Sequence, residues 1–269
     1  MCEISAAGPG RRFGGDVSPV WKAGMAEYTV RRGAESYGHA VGIILVEVST
    51  PFIPGDVGNA STFPFPVLYK TAPGVTLPAL IDRADTGSLD AVVDAARYLE
   101  RHGVRLITSD CGYMIHYQAP VAAAVSVPVA LSSLLMLPSL EAALPAKGKI
   151  GVVCANSERL TTDMLRLAGM RDPERAIVVG MEGSEAFRKP VLEEYPVLDA
   201  QAIERELRTR AGELVSAHPE IGPIVLECSN MPAYAHAVQQ ETRRPVFDFT
   251  TMIAGYHSAS YRTPFAGYY

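Results

Sequence analysis

Two cysteines of this chain sit at the same kind of corner. In "LITSDCGYMIHYQAPVAAAVSVPVAL" (Leu106 to Leu131), Cys111 falls where an apolar run ends and polar residues begin. In "IVLECSNMPAYAHAVQQETRRPVFDF" (Ile224 to Phe249), Cys228 does the same. Each lies 17 positions before the proline of a Pro-Val pair, from 111 to 128 and from 228 to 245. A lone cysteine is normally a packing residue. A matched pair past the ends of buried strands, each at a helix start, suits acid–base chemistry, because a helix N-terminus favours the thiolate. A carbon held between two such thiols meets one on each face.

The neighbours of the pair extend the candidate site. Asp110 and Glu227 precede the cysteines at equivalent positions, where they either orient a thiol or cap a helix. Backbone N–H groups at the two helix starts, Gly112-Tyr113 and Ser229-Asn230, are placed to bind carboxylate or enolate oxygens. Ser109, Ser132, Ser229 and Thr250 offer hydroxyl donors, and Glu47 with Ser49 ends the first apolar strand at the same sheet edge. His116 follows Cys111 by five positions, off its helical face, and reads as a surface or supporting residue. Cys154, inside "GVVCAN", reads as structural, and Cys2 has no evident role. No pair of cysteines or histidines has metal-ligand spacing, so no metal is expected.

The elements that must position these residues alternate between strand and helix. "AVGIILVEV" is a strand buried on both faces, and a Pro- and Gly-rich loop, "PFIPGDVGNASTFPFP", leads to a short strand near "VLYK". "SLDAVVDAARYLERHG" is a helix opened by Ser88 and stopped at Gly103, followed by strand "VRLITS", Cys111, an Ala-rich helix and strand "VPVAL". After a helix around Leu134–Leu144 the order begins again, with strands "KIGVVCAN", "AIVVG", "PIVLE" and "PVFDF" and a last helix over about Thr251–Tyr261. Alternation of this kind predicts an α/β fold of two similar lobes, each a parallel sheet flanked by helices, related by a pseudo-twofold axis with the active site in the cleft between them. The expected divisions are an irregular N-terminal extension over 1–39, a first lobe over 40–133 plus 251–269, and a second lobe over 150–250.

Composition narrows the partners. The 269 residues carry a net charge of −5 with scattered basic residues, which argues against nucleic acid and against a membrane surface. Four widely spaced cysteines fit a reducing compartment, and a cytoplasmic protein is expected. "GPGRRFGG" follows no strand, there is no P-loop Lys-Ser/Thr, and no G-x-S-x-G elbow occurs, so no nucleotide cofactor is indicated. A small-molecule carboxylate or carbonyl substrate is the expected partner, with a homo-oligomer left open.

At Cys111 and Cys228 the chain resembles the aspartate/glutamate/hydantoin racemase superfamily over roughly residues 40–262. "ECSNMP" is similar to the family's Cys-Thr-x-x-Pro motif, with Ser229 in place of Thr, at Cys228 and Pro232. Gly112-Tyr113 follow Cys111 where amino-acid racemases of the family have Asn-Thr, and a long loop replaces the compact Gly-rich turn after the first strand. The resemblance implies a cofactor-independent isomerase with Cys111 and Cys228 as a two-thiol acid–base pair. The expected activity is racemisation or epimerisation at a carbon acidified by a carboxylate or carbonyl, in an amino acid or a derivative such as a hydantoin. A decarboxylase or a maleate-type cis-trans isomerase of the same superfamily is the alternative, and a non-catalytic small-molecule binder is a third.

Overall fold

The computed structural model describes residues 30–82 and 87–267. The first sheet is built from β1 (Val41–Glu47), β2 (Val67–Thr76), β3 (Leu106–Ser109) and β4 (Val129–Ala130). The second is built from β5 (Lys149–Cys154), β6 (Ala176–Gly180), β7 (Ile221–Leu226) and β8 (Val246–Phe247). Both are four-stranded, all pairs are parallel, and the strand orders correspond: β2-β1-β3-β4 and β6-β5-β7-β8. The two lobes expected from the repeated pattern are therefore present.

In each sheet the chain steps outward from the first strand to the second, then crosses back to the other side of the first. That reversal falls between β1 and β3 in one lobe and between β5 and β7 in the other. Connections leaving such neighbouring strands diverge to opposite faces of the sheet, opening a crevice at their carboxyl ends. Register fixes where the crevices lie, since Ile44 of β1 aligns with Ser109 of β3, and Val153 of β5 with Leu226 of β7. Cys111 and Cys228 each come two residues after the last strand residue, at these two reversals.

Helices cover the sheets. They are α1 (Leu89–Arg101), α2 (Gln118–Ala124), α3 (Leu137–Ala143), α4 (Thr162–Leu167), the single-turn α5 (Glu185–Phe187), α6 (Ala200–Ala217), α7 (Ala235–Thr242) and α8 (Phe249–Ser260). In α1 the buried Val92, Ala95, Ala96 and Leu99 recur at helical spacing, and Leu99 fits against Gly42 of β1 because that position has no side chain. The final helix starts two residues before the expected Thr251. Asp248 and Thr251 form a reciprocal capping box that sets its start at Phe249. Its Phe249, Met252 and Ile253 pack with Val41, Ile43, Leu106 and Ala130 of the first sheet.

Two local expectations are corrected. The strand expected near "VLYK" runs for ten residues, because β2 stays parallel to β1 as far as the Glu47–Thr76 pair across an irregularity. Neither cysteine opens an α-helix directly. Cys111 leads into a 3-10 segment, Gly112–Tyr117, whose tight turns bury Tyr113, Met114, Ile115 and Tyr117 together. Cys228 leads into a turn and then the 3-10 segment Pro232–Tyr234, with proline at its first position. Individual backbone N–H groups, not a helix macrodipole, therefore act on the thiols. The extension over 1–39 lies outside the described residues up to position 29.

Candidate active site

A single pocket gathers the carboxyl ends of both sheets. Its lining includes Val46, Asp110, Cys111, Gly112, Tyr113, Ala155, Glu227, Cys228, Ser229 and Asn230. Apolar side chains complete the wall: Val48, Phe52, Leu77, Ile81, Val191 and Leu192. Among the described residues no lysine or arginine lines it.

Of the residues expected at the site, Cys111, Cys228, Gly112, Tyr113, Ser229 and Asn230 line this pocket. Glu47, Ser49, Ser132 and Thr250 do not. Strand alternation turns Glu47 outward while Val46 faces in. Ser49 is exposed, and its backbone N–H donates to Glu194 Oε2 at 2.8 Å. The Ser132 hydroxyl caps the 3-10 segment Ser133–Met136 by accepting from Leu134 N. Thr250 donates to Asp248 Oδ1 at 2.7 Å within the cap of α8. The Tyr113 ring forms wall, and its hydroxyl is committed to the second lobe, donating to Asn156 O at 2.7 Å and accepting from Asn156 N at 3.2 Å.

The two thiols have different surroundings. Burial pushes the Cys111 thiol well above its ordinary range, and Glu227 and Asp110 push it further; the backbone N–H groups of Tyr113 and Met114 pull the other way. Burial and Glu227 likewise raise Cys228, opposed by the N–H of Asn230. The Cys228 thiol also donates to Asn230 Oδ1 at 3.4 Å, an acceptor that holds the proton on sulfur. Cys154 is fully buried in β5, with its thiol directed at Val179 O.

Three buried carboxyl groups surround the thiols. Asp110 accepts from Val46 N at 3.0 Å through Oδ1, while Oδ2 has no partner. Glu227 accepts from Ala155 N at 3.4 Å through Oε2, while Oε1 has no partner. Burial raises both to about 8. Asp56, raised by burial to about 7, accepts from Gly58 N and from the side-chain amide of Asn230. It belongs to the loop after β1, which presses on the turn beyond Cys228. Gly55 adopts φ +101, and a Cβ there would lie 2.5 Å from Ala233 Cα. Asp56 was not among the expected site residues; its one sequence signal is the Asp-x-Gly spacing of a side-chain-capped turn. No group of three or more His, Cys, Asp or Glu able to hold a metal occurs among the described residues. No helix among them is long and apolar enough to cross a membrane.

No family model matches the chain. It is 31% identical over 219 residues to dimethylsulfoniopropionate lyase of Durusdinium sp. clade D, covering 78% of this chain and 71% of that protein. The chain belongs to the dimethylsulfoniopropionate lyase family. Dimethylsulfoniopropionate lyase 3 of Emiliania huxleyi is 30% identical over 79% of this chain and 57% of its own length. Lyase 5 of the same organism is 28% identical over 95% and 53%. The chain thus spans little more than half of these two relatives.

Solved structures give the fold. Allantoin racemase from Pseudomonas fluorescens superposes with a TM-score of 0.59 at 19% identity, over 82% of this chain and 90% of that one. Unliganded arylmalonate decarboxylase superposes at 0.51 and 15%, over 83% and 94%. The fold is that of the aspartate/glutamate/hydantoin racemase superfamily. The expected racemase activity is overturned: the relatives matched in sequence are named lyases. Shared architecture carried the expectation, and a fold does not fix the reaction.

Proposed function

We propose that this chain is a carbon–sulfur lyase that eliminates dimethyl sulfide from dimethylsulfoniopropionate, leaving acrylate. Its membership of the lyase family, with both thiols on one pocket, carries the reading. The substrate has a carboxylate at one end, a weakly acidic C–H next to it, and a sulfonium one carbon further on. A base takes the proton, the C–H electron pair becomes the carbon–carbon double bond, and the carbon–sulfur pair leaves with sulfur as neutral dimethyl sulfide. The base ends protonated and returns its proton to water.

Cys111 is assigned as that base. The backbone N–H groups of Tyr113 and Met114 favour its thiolate, whereas Cys228 is held as a thiol by Asn230 Oδ1. Burial opposes ionisation in the empty site, and the substrate's positive charge offsets that penalty when it enters. Proton abstraction beside a carboxylate is shared with racemisation. The fate of the carbanion differs, because a sulfonium on the next carbon is expelled before the proton can return. The test is incubation of the full chain with dimethylsulfoniopropionate, following dimethyl sulfide by gas chromatography and acrylate by NMR. Equal amounts of the two products are expected. A folded protein that releases neither, or that yields hydroxypropionate in place of acrylate, would overturn the reading.

A further inference from the structure

We infer that Asp110 and Glu227 form a subsite for a methylated onium group, so that the pocket takes quaternary ammonium carboxylates as well as sulfonium ones. The inference rests on the lyase reading for the location of the reacting carbon, and on separate observations for the subsite. Both carboxyl groups are buried, 5% and 0% exposed, and both line the pocket. Each uses one oxygen on a backbone N–H and leaves Asp110 Oδ2 and Glu227 Oε1 without a partner. An uncompensated buried carboxylate is expensive, and two on one cavity more so, so both acids hold their protons in the empty pocket and ionise only against an arriving positive charge. Among the described residues nothing basic lines the cavity to offset them. A cationic ligand does.

The walls say what kind of cation. Phe52 and Tyr113 present aromatic rings, and Leu77, Ile81 and Val191 are apolar. A primary ammonium needs three hydrogen-bond acceptors and pays heavily for desolvation against such surfaces. A methylated onium has no N–H to satisfy, places methyl groups against the apolar wall, and is attracted to aromatic faces. Gly112 makes room for the Glu227 carboxyl group at the pocket wall, since a Cβ at that position would lie 2.0 Å from Oε1.

The positive charge disappears as the sulfide leaves, so these carboxylates favour the bound substrate over the transition state. Their loss should raise KM and leave kcat undiminished. The test is calorimetric titration of the full chain with three probes: trimethylammoniopropionate, its neutral isostere with a tert-butyl group in place of trimethylammonio, and β-alanine. The first should bind at least about tenfold more tightly than either of the others, as expected for close charge complementarity. Asp110→Asn and Glu227→Gln, which preserve shape, should each reduce that preference. Equal binding of the onium probe and its isostere, or tighter binding of β-alanine, would overturn the subsite even if dimethyl sulfide is released. Onium preference without cleavage would uphold the subsite and defeat the lyase reading instead.

Discussion

Gly112 and Glu227 come from different lobes and meet so closely that no side chain fits between them: a Cβ on Gly112 would lie 2.0 Å from Glu227 Oε1 and 2.5 Å from its carbonyl oxygen. One of the two obstacles is backbone, so rotation of the Glu227 side chain alone cannot relieve the clash. Gly112→Ala should therefore shift the Cys111 turn against β7. The expected result is a loss of about 10²-fold in kcat/KM, as for ångström-scale misplacement of reacting groups, with roughly 1–3 kcal/mol of lost stability from overpacking. Steady-state kinetics and denaturant unfolding measure both.

The thiols should respond unequally to serine. Cys111→Ser removes the proposed base, and about a 10³-fold loss of kcat is expected, within the range for a positioned general base. Cys228→Ser keeps a hydroxyl that can donate to Asn230 and should lose no more than roughly tenfold. Equal losses would contradict the assignment of Cys111 as sole base.

Asp56 should tune Cys228 without touching Cys111. Its carboxylate holds the Asn230 amide with nitrogen turned away from sulfur. Asp56→Asn frees that amide to reverse and donate to sulfur, which favours the thiolate. Alkylation by iodoacetamide, resolved by mass spectrometry, should quicken at Cys228 several-fold while Cys111 stays unchanged. Uniform acceleration at both would indicate loosening of the loop.

Stability of the empty protein should fall as pH rises. Asp110 and Glu227 titrate near about 8 when folded, against ordinary values of 3.8 and 4.5. The unfolded chain releases their protons first, so their contribution is fully present below the ordinary carboxylate range and is lost as pH climbs through about 8. Asp56, near about 7, acts in the same direction. Melting temperatures measured from pH 5 to pH 9 should decline, and the decline should flatten in Asp110→Asn and Glu227→Gln. A melting temperature that rises with pH would show that these acids are ionised when folded.

Strand ends were legible because buried parallel strands write themselves as β-branched runs, and the equal spacing from Cys111 and Cys228 to their Pro-Val pairs exposed the repeat. Glu47 and Ser132 were misplaced for a local reason. A position at a strand end does not say which face its side chain takes, and a serine before a turn is as useful to the backbone as to a ligand. Asp56 was invisible because its importance comes from a loop folding onto a turn more than 170 positions away, at Asn230. The reaction was misread for a chemical reason. A pair of thiols suits removal of a proton beside a carboxylate, but a leaving group that would redirect the carbanion belongs to the substrate and leaves no mark in the sequence.

The Tyr113 hydroxyl gives a hydrogen bond to Asn156 O and takes one from Asn156 N, so one phenol is bolted at both poles to the main chain of the opposite lobe. Burial in a dry wall protects that bolt from competition by water. The gauge of the slot between the two half-sites is thereby tied to main chain by one phenol, alongside the Ser229 hydroxyl on Asp110 O and the Ser133 hydroxyl on Leu226 O. Lining residues such as Leu77 or Val191 can be exchanged to admit different alkyl groups while the slot keeps its calibre.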